Sequence, residues 1–311
     1  MTAMGRALIT GDGVRVTLES LRYGAALLRD AMQKGDAQAP EVLASMAAFG
    51  ILRPRDGVAA RQLLETSAQR GWASAQRQLE VLETAPQGTG HTRLLHERPR
   101  LRVLENFATA AECDWLIDRT RDHLERAEVY HASSQVEVHD VRTNSEAYLT
   151  PKLLDVVTAT VLLRIAAAAG VDLALCEFAT VLHYLPGQLF GPHADYLDPN
   201  NPARLAELRA SGQRVATFLV YLSDDYEDGE TEFLDVGVKY KGRKGDALMF
   251  LNVEPNGEPD YSSRHQGSAP SRGEKWVLSQ WVRNRALNPY LTPGGESARL
   301  PETWLQDAWR A

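Results

Sequence analysis

The sequence predicts an α+β protein in two parts, an N-terminal α-helical repeat segment over residues 1–85 and a β-sandwich or jelly roll buttressed by helices over residues 101–286. Three observations carry that expectation. Residues 27–43 recur as residues 63–79, at a period of 36 residues. Helical periodicity stops after Leu82, and the Pro-, Gly- and Thr-rich stretch TAPQGTGHTRLLHERPR reads as a linker over residues 86–100. Beyond residue 170 the apolar residues gather in short β-branched and aromatic runs separated by Gly, Pro and Asp.

In chain order, the repeat aligns Leu27 with Leu63, Leu28 with Leu64, Gly35 with Gly71, Ala39 with Ala75 and Leu43 with Leu79. The small alanines let helices approach closely, and the two glycines supply the positive φ that ends one helix before the next. Segments such as LLETSAQRGWASAQRQL resemble Sel1-like repeats, relatives of the tetratricopeptide repeat, over about two units. Helices are expected at Ala108 to Glu128 and Pro151 to Ala169. The apolar run from Val156 to Leu175 is interrupted by Arg164, Gly170 and Asp172, too early for a membrane span, and reads as a buried helix. Strands are expected at Glu177 to Tyr184, Arg214 to Leu222, Glu230 to Phe233, Ala247 to Leu251 and Lys275 to Arg283. Residues 287–311, with Pro289, Pro293 and Pro301, are expected to form an irregular cap.

With 311 residues, 44% of them hydrophobic, the chain can bury a sizeable core. Its net charge divides into +1 before residue 90 and −8 after it, so neither part has the basic excess that nucleic-acid binding needs. Neither nucleic acid nor a membrane is expected as partner. Two cysteines, Cys113 and Cys176, are too few for a disulfide framework and are expected as free thiols. With no signal-peptide-like run at the start, the expected location is the cytoplasm.

The sharpest chemical feature is GPHADYLD. His193 and Asp195 stand two apart, which in an extended strand puts both side chains on one face. His265, in SSRHQGSAP, follows after two strand candidates, so an antiparallel sheet can return it beside the pair. Two imidazoles and a carboxylate on one face of an octahedral ion is the arrangement of non-haem Fe(II) oxygenases. A three-ligand hydrolytic zinc site also meets this spacing. Lys275, in GEKWVLSQWVR, weighs against zinc hydrolysis. Alternation sets Lys275, Val277, Ser279 and Trp281 on one strand face, and a lysine facing a core needs an anionic partner. A dicarboxylate that chelates the metal through its 2-oxo acid end supplies one. A strand-end lysine with its ammonium in solvent is the plainer reading of that residue alone.

The segments VRTNSEAYL, VLHYLPGQLFGPHADYL, RVATFLVYLSDDYEDGETEF, KGDALMF and HQGSAPSRGEKWVLSQWVR, in that order, resemble the prolyl 4-hydroxylase family of Fe(II)/2-oxoglutarate dioxygenases over about residues 100 to 285. The resemblance implies a double-stranded β-helix in which His193, Asp195 and His265 bind Fe(II) and Lys275 holds the distal carboxylate of 2-oxoglutarate. It places Tyr184, Thr217 and Trp281 in the cosubstrate pocket and Arg142 toward the substrate. The implied reaction consumes O2, releases succinate and CO2, and hydroxylates C4 of a prolyl residue in a peptide or protein, with ascorbate as reductant. Iron plus Asp195, a 2-oxoglutarate dianion and the Lys275 ammonium sum to zero charge, so such a pocket can shed water.

The sequence departs from the family pattern at Asp228, where Gly-Gly-Glu-Thr becomes Asp228, Gly229, Glu230, Thr231, and at Arg264, where a Leu usually precedes the second histidine. Residues 198–214 read as an insert beside the metal, a solvated charged loop or a lid, with Arg204, Arg209 and Arg214 at intervals of five. His183 reads as a satisfied strand histidine; His131 and His139 lack metal spacing; Asp224, Asp225 and Asp228 read as turn residues. Two alternatives stay open: a hydroxylase of a free amino acid or small metabolite, and an inert repeat-based binding protein.

Overall fold

The structure is a computed structural model and describes every residue except 87, 89, 128, 131–135, 138–140, 287–298 and 311. His131, His139 and most of the expected C-terminal cap lie outside the described residues. The chain divides into two compact units.

The first unit comprises Met1–Ala85 and Leu149–Arg164 among its described segments. Its first 85 residues form α1 (Thr2–Thr10), α2 (Leu18–Gln33), α3 (Ala39–Phe49), α4 (Gly57–Gln69) and α5 (Ala73–Glu83). The repeated residues fall on the same places of α2–α3 and α4–α5. Gly35 and Gly71 both take positive φ, 89° and 82°, just after the ends of α2 and α4. Thr17 and Ser20 form a capping box at the start of α2, and Asp56 caps α4. Leu21, Ala25 and Leu28 of α2 pack with Ile9, Ala39, Leu43 and Met46 into one buried cluster.

Residues 149–164 corrects the expected boundary, since they join this unit rather than the β-rich one. The amide oxygen of buried Gln78 accepts from the backbone N–H of Val156 at 3.0 Å, which ties the first turn of α7 (Val156–Ala169) to α5. Asp155 caps the same turn by accepting from Thr158 N at 2.8 Å. The helix therefore starts five residues later than expected from Pro151. Among the described residues no helix is long and apolar enough to cross a membrane.

The second unit is organised by antiparallel sheets. In chain order its elements are β1 (His91–His96), β2 (Leu101–Glu105), α6 (Ala110–Arg121), β3 (Glu125–Arg126), β4 (Val129–Tyr130), β5 (Val136–Glu137), β6 (Ser145–Tyr148), β7 (Thr180–Tyr184), β8 (Phe190–His193), α8 (Pro202–Ser211), β9 (Arg214–Tyr221), β10 (Glu227–Asp228), β11 (Thr231–Phe233), β12 (Val238–Tyr240), β13 (Ala247–Leu251), β14 (His265–Gly267), β15 (Pro270–Arg272), β16 (Lys275–Arg283) and α9 (Trp304–Arg310). Eight strands form a sheet in the order β1-β2-β13-β9-β16-β7-β6-β3, and four form a second, β12-β11-β14-β8. The two meet in one core: Phe233 of β11 packs among Leu101, Leu219, Tyr221, Leu248, Phe250 and Val277 of the large sheet. Tyr221 and Thr231 share a hydroxyl hydrogen bond of 2.9 Å across the same core.

Several expected elements change at long range. The linker at 86–100 contains β1, whose partner β2 was not legible as a strand; their pairing satisfies backbone groups that composition assigned to a loop. The helix expected over 108–128 ends at Arg121, and Glu125–Arg126 instead pairs with β6. Most of the insert at 198–214 is helix instead of loop: Asn201 caps α8, Pro202 occupies its first turn and Gly212 stops it, and none of the helix's own residues is buried. Residues 304–310 of the irregular cap are helical, with Trp304 Nε1 donating to Ala169 O at 2.8 Å and Trp309 Nε1 to Val253 O at 3.1 Å. Cys113 and Cys176 are free, and burial pushes both thiols up to about 12.

Candidate functional site

β8 and β14 are neighbours in the small sheet, and their register sets His265 directly opposite His193. Asp195, two residues beyond His193, completes the group; one ligand atom from each of the three lies within 4.8 Å of the others. Asp195 Oδ1 is 3.6 Å from His193 Nε2, and Asp195 Oδ2 is 3.7 Å from His265 Nε2. Each imidazole is oriented from behind by a backbone carbonyl. His193 Nδ1 bonds Gly191 O at 2.8 Å and His265 Nδ1 bonds Ser263 O at 2.9 Å. A carbonyl accepts only, so Nδ1 carries the proton on both rings and each Nε2 presents a lone pair inward. This is the donor set an Fe(II) ion takes, with the outer hydrogen bonds already in place.

Electrostatics agrees. Burial, then the neighbouring His265, pushes the His193 imidazole down to about 3, so it is neutral at physiological pH. Burial alone would raise the Asp195 carboxyl, but His265, His193 and the Thr217 hydroxyl more than offset it and hold the group below the usual carboxylate range. The Phe190 ring stacks on His193 with centroids 3.6 Å apart, and the rings of Phe233 and Phe250 flank His265.

The three residues line a cavity whose other wall is the large sheet. β16 contributes Lys275, Val277, Ser279 and Trp281, the alternate residues expected on one face, and β7 contributes Thr180, Leu182 and Tyr184. Lys275 is 2% exposed, and among the described residues no carboxylate pairs with it. Its Nζ lies 4.8 Å from the centre of the Tyr184 ring, and burial pushes its ammonium down to about 7 despite the pull of Glu230. The strand-end reading, with the ammonium in water, is thereby excluded. Trp281 Nε1 is likewise buried with no hydrogen-bond partner among the described residues. A cation and an N–H donor left unmatched on one wall fit an anionic ligand.

Of the other residues singled out from sequence, Tyr184 and Arg142 line the cavity. Arg142 pairs with Glu146, and its guanidinium lies over the Phe190 ring at 4.3 Å. Thr217 does not line it. Its hydroxyl donates to Asp195 Oδ2 at 2.7 Å, so it stands behind the carboxylate instead of beside a cosubstrate. Arg264 points away into a pair with Asp235. Asp228 takes positive φ, 56°, beside Gly229 at 72°, a left-handed backbone that favours glycine. His183 bonds Glu274 at 3.0 Å and stacks on Trp276, a satisfied strand histidine as expected. Sequence reading missed Glu146, Phe190 and Asn252. Glu146 sits four residues after Arg142 and was the most accessible of the three, as an acidic residue on a strand face.

Comparison with known proteins gives the same answer. Residues 179–283 match the family model of the 2OG-Fe(II) oxygenase superfamily. The chain is 34% identical over 206 residues to prolyl 4-hydroxylase 1 of Arabidopsis thaliana, covering 61% of this chain and 71% of that one. It is 32% identical over 214 residues to probable prolyl 4-hydroxylase 9 of the same plant, covering 62% and 71%. Among solved structures, the viral collagen prolyl hydroxylase of Paramecium bursaria Chlorella virus-1 aligns with 59% of this chain and 95% of its own, at 24% identity and a TM-score of 0.46. The metal-facing triad and the family match together define a 2-oxoglutarate-dependent dioxygenase. Within that class, the chain belongs to the prolyl 4-hydroxylase family.

Proposed function

We propose that this dioxygenase hydroxylates C4 of a prolyl residue in a peptide or protein, with release of succinate and CO2. One observation carries the reading: three metal-type donors and an unmatched buried ammonium face each other across a single cavity, in a chain whose relatives are prolyl 4-hydroxylases. His193, Asp195 and His265 hold Fe(II). When bound, the iron with 2-oxoglutarate and O2 supplies the oxidising power. The protein's part is placement. The Lys275 ammonium takes the distal carboxylate of 2-oxoglutarate, and Trp281 Nε1 and the Tyr184 hydroxyl line the path to it. Arg142, steadied by Glu146, borders the substrate side.

That ion pair also favours a peptidyl substrate over a free amino acid. A free amino acid brings its own carboxylate, and the guanidinium on this wall is already neutralised by Glu146. The same reading includes a double-stranded β-helix for the two packed sheets, Sel1-like repeats for the paired N-terminal helices, ascorbate as reductant and a cytoplasmic location. The helical repeats are read as a surface for a peptide or protein partner. The test is a panel of proline-containing peptides incubated with Fe(II), 2-oxoglutarate and ascorbate. Gain of one oxygen on proline with stoichiometric succinate is expected. Turnover of free amino acids but of no peptide would replace the reading with the small-metabolite alternative. Absence of any 2-oxoglutarate consumption would favour the inert binding protein.

A further inference from the structure

Behind the metal-facing side chains runs a line of hydrogen bonds whose direction is fixed by chemistry. Asn252, fully buried just after β13, donates from Nδ2 to Thr217 Oγ1 at 2.9 Å, and Thr217 donates to Asp195 Oδ2 at 2.7 Å. A threonine hydroxyl has one proton and two lone pairs. While an amide N–H occupies a lone pair, the proton stays available for the carboxylate. Were an acceptor to replace that N–H, it would compete with Asp195 for the same proton.

The main chain of Asn252 reaches the opposite side of the site. Its carbonyl accepts from Asp260 N at 3.0 Å, and Asp260 caps the short 3₁₀ turn Tyr261–Ser263. Ser263 Oγ donates back to Asp260 O at 2.7 Å, and Ser263 O is the acceptor that orients His265. Asn252 N donates to Val215 O at 3.0 Å, two residues before Thr217. One residue thus joins the supports of two of the three ligands.

We propose that Asn252 is a positioning residue for the metal centre: its side-chain amide commits the Thr217 proton to Asp195, while its carbonyl holds the turn that orients His265. The inference rests on the reading of His193, Asp195 and His265 as metal ligands. Asn252 acts through Thr217 and the turn, not on the metal itself.

The test is calorimetric titration of the full chain with Mn(II) alone, so that no turnover is involved. Asn252→Asp keeps the shape and turns the donor into an acceptor; it is expected to weaken Mn(II) binding about 10-fold or more. Thr217→Val is expected to weaken it by about 10- to 100-fold, and Thr217→Ser to restore it. In the Thr217→Val background, Asn252→Asp is expected to add little, because the two act in series. Should Asn252→Asp fail to fold, Asn252→Leu, with neither donor nor acceptor, is expected to lose a smaller factor with the same dependence on Thr217. Wild-type affinity in the Asn252 variants, or an undiminished effect without the Thr217 hydroxyl, would overturn the proposal. A wild-type chain that binds no Mn(II) would remove the metal site itself and the proposal with it, a result plainly distinct from normal binding in the variants.

Discussion

At one end of the cavity, both histidine Nδ1 atoms and one oxygen of Asp195 are already hydrogen-bonded to protein, and the His193 imidazole is held neutral. At the other end, Lys275 is buried without a carboxylate and Trp281 Nε1 has no partner among the described residues. The difference separates two kinds of binding site. The metal end is preorganised: its donors point inward before an ion arrives, and little reorganisation opposes binding. The Lys275 end is destabilised until an anion arrives, so binding of a dicarboxylate relieves a cost that the fold carries alone.

The contrast can be broken most severely at the metal end. His193→Ala is expected to lower turnover by more than about a thousandfold, since the oxidising chemistry depends on the ion. Succinate formation measures it, and the same protein should keep its folded far-UV signal because the residue sits at the end of a short strand. Lys275→Met sharpens the comparison, because function and stability should move in opposite directions. Binding of 2-oxoglutarate is expected to weaken by about 10²- to 10³-fold through loss of a buried ion pair. The ligand-free variant should nonetheless be more stable than wild type at pH 6 to 7.

The sign of that effect follows from the lysine's two environments. Its folded pKa of about 7 lies below its ordinary 10.5, so between those values the unfolded chain holds the extra proton. Wild-type stability relative to Lys275→Met therefore rises as pH climbs from about 7, and the gap closes near pH 10.5; denaturant melts across that window read it directly. A gap that does not change with pH would mean that Lys275 keeps its ordinary pKa in the ligand-free fold, and so carries no burial cost there. The smallest expected effect is that of Trp281→Phe, which removes the unmatched N–H and keeps most of the ring. The KM for 2-oxoglutarate should rise about 10-fold or less, with kcat nearly unchanged.

Much of the catalytic unit was legible because it is written in short periods. Alternation along Lys275–Arg283 was enough to put Lys275, Val277, Ser279 and Trp281 on one face, and they share the cavity wall. The strand Ala247–Leu251 and the positive φ of Gly35 and Gly71 were equally local. By contrast, β8 and β14, which carry the two histidines, are too short and too interrupted by Gly191, Pro192 and Gly267 to show a period. The α8 helix was hidden by its polar composition, although Asn201 and Pro202 are a start signal. Much of its anchorage is distant: Arg283 pairs with Glu207 at 2.6 Å and donates to Gly212 O at 2.8 Å.

By itself the sequence determined which atoms are available for chemistry: two imidazoles, a carboxylate and a lysine, at spacings that a sheet can gather. Only the tertiary structure decided how they are aimed. That Nδ1 of each histidine meets a carbonyl, that Thr217 backs Asp195 instead of lining the pocket, and that residues 149–164 join the N-terminal helices all depend on partners far away in sequence. A side chain's identity fixes its donors and acceptors, but their direction is set by groups that only the completed fold brings within hydrogen-bonding distance.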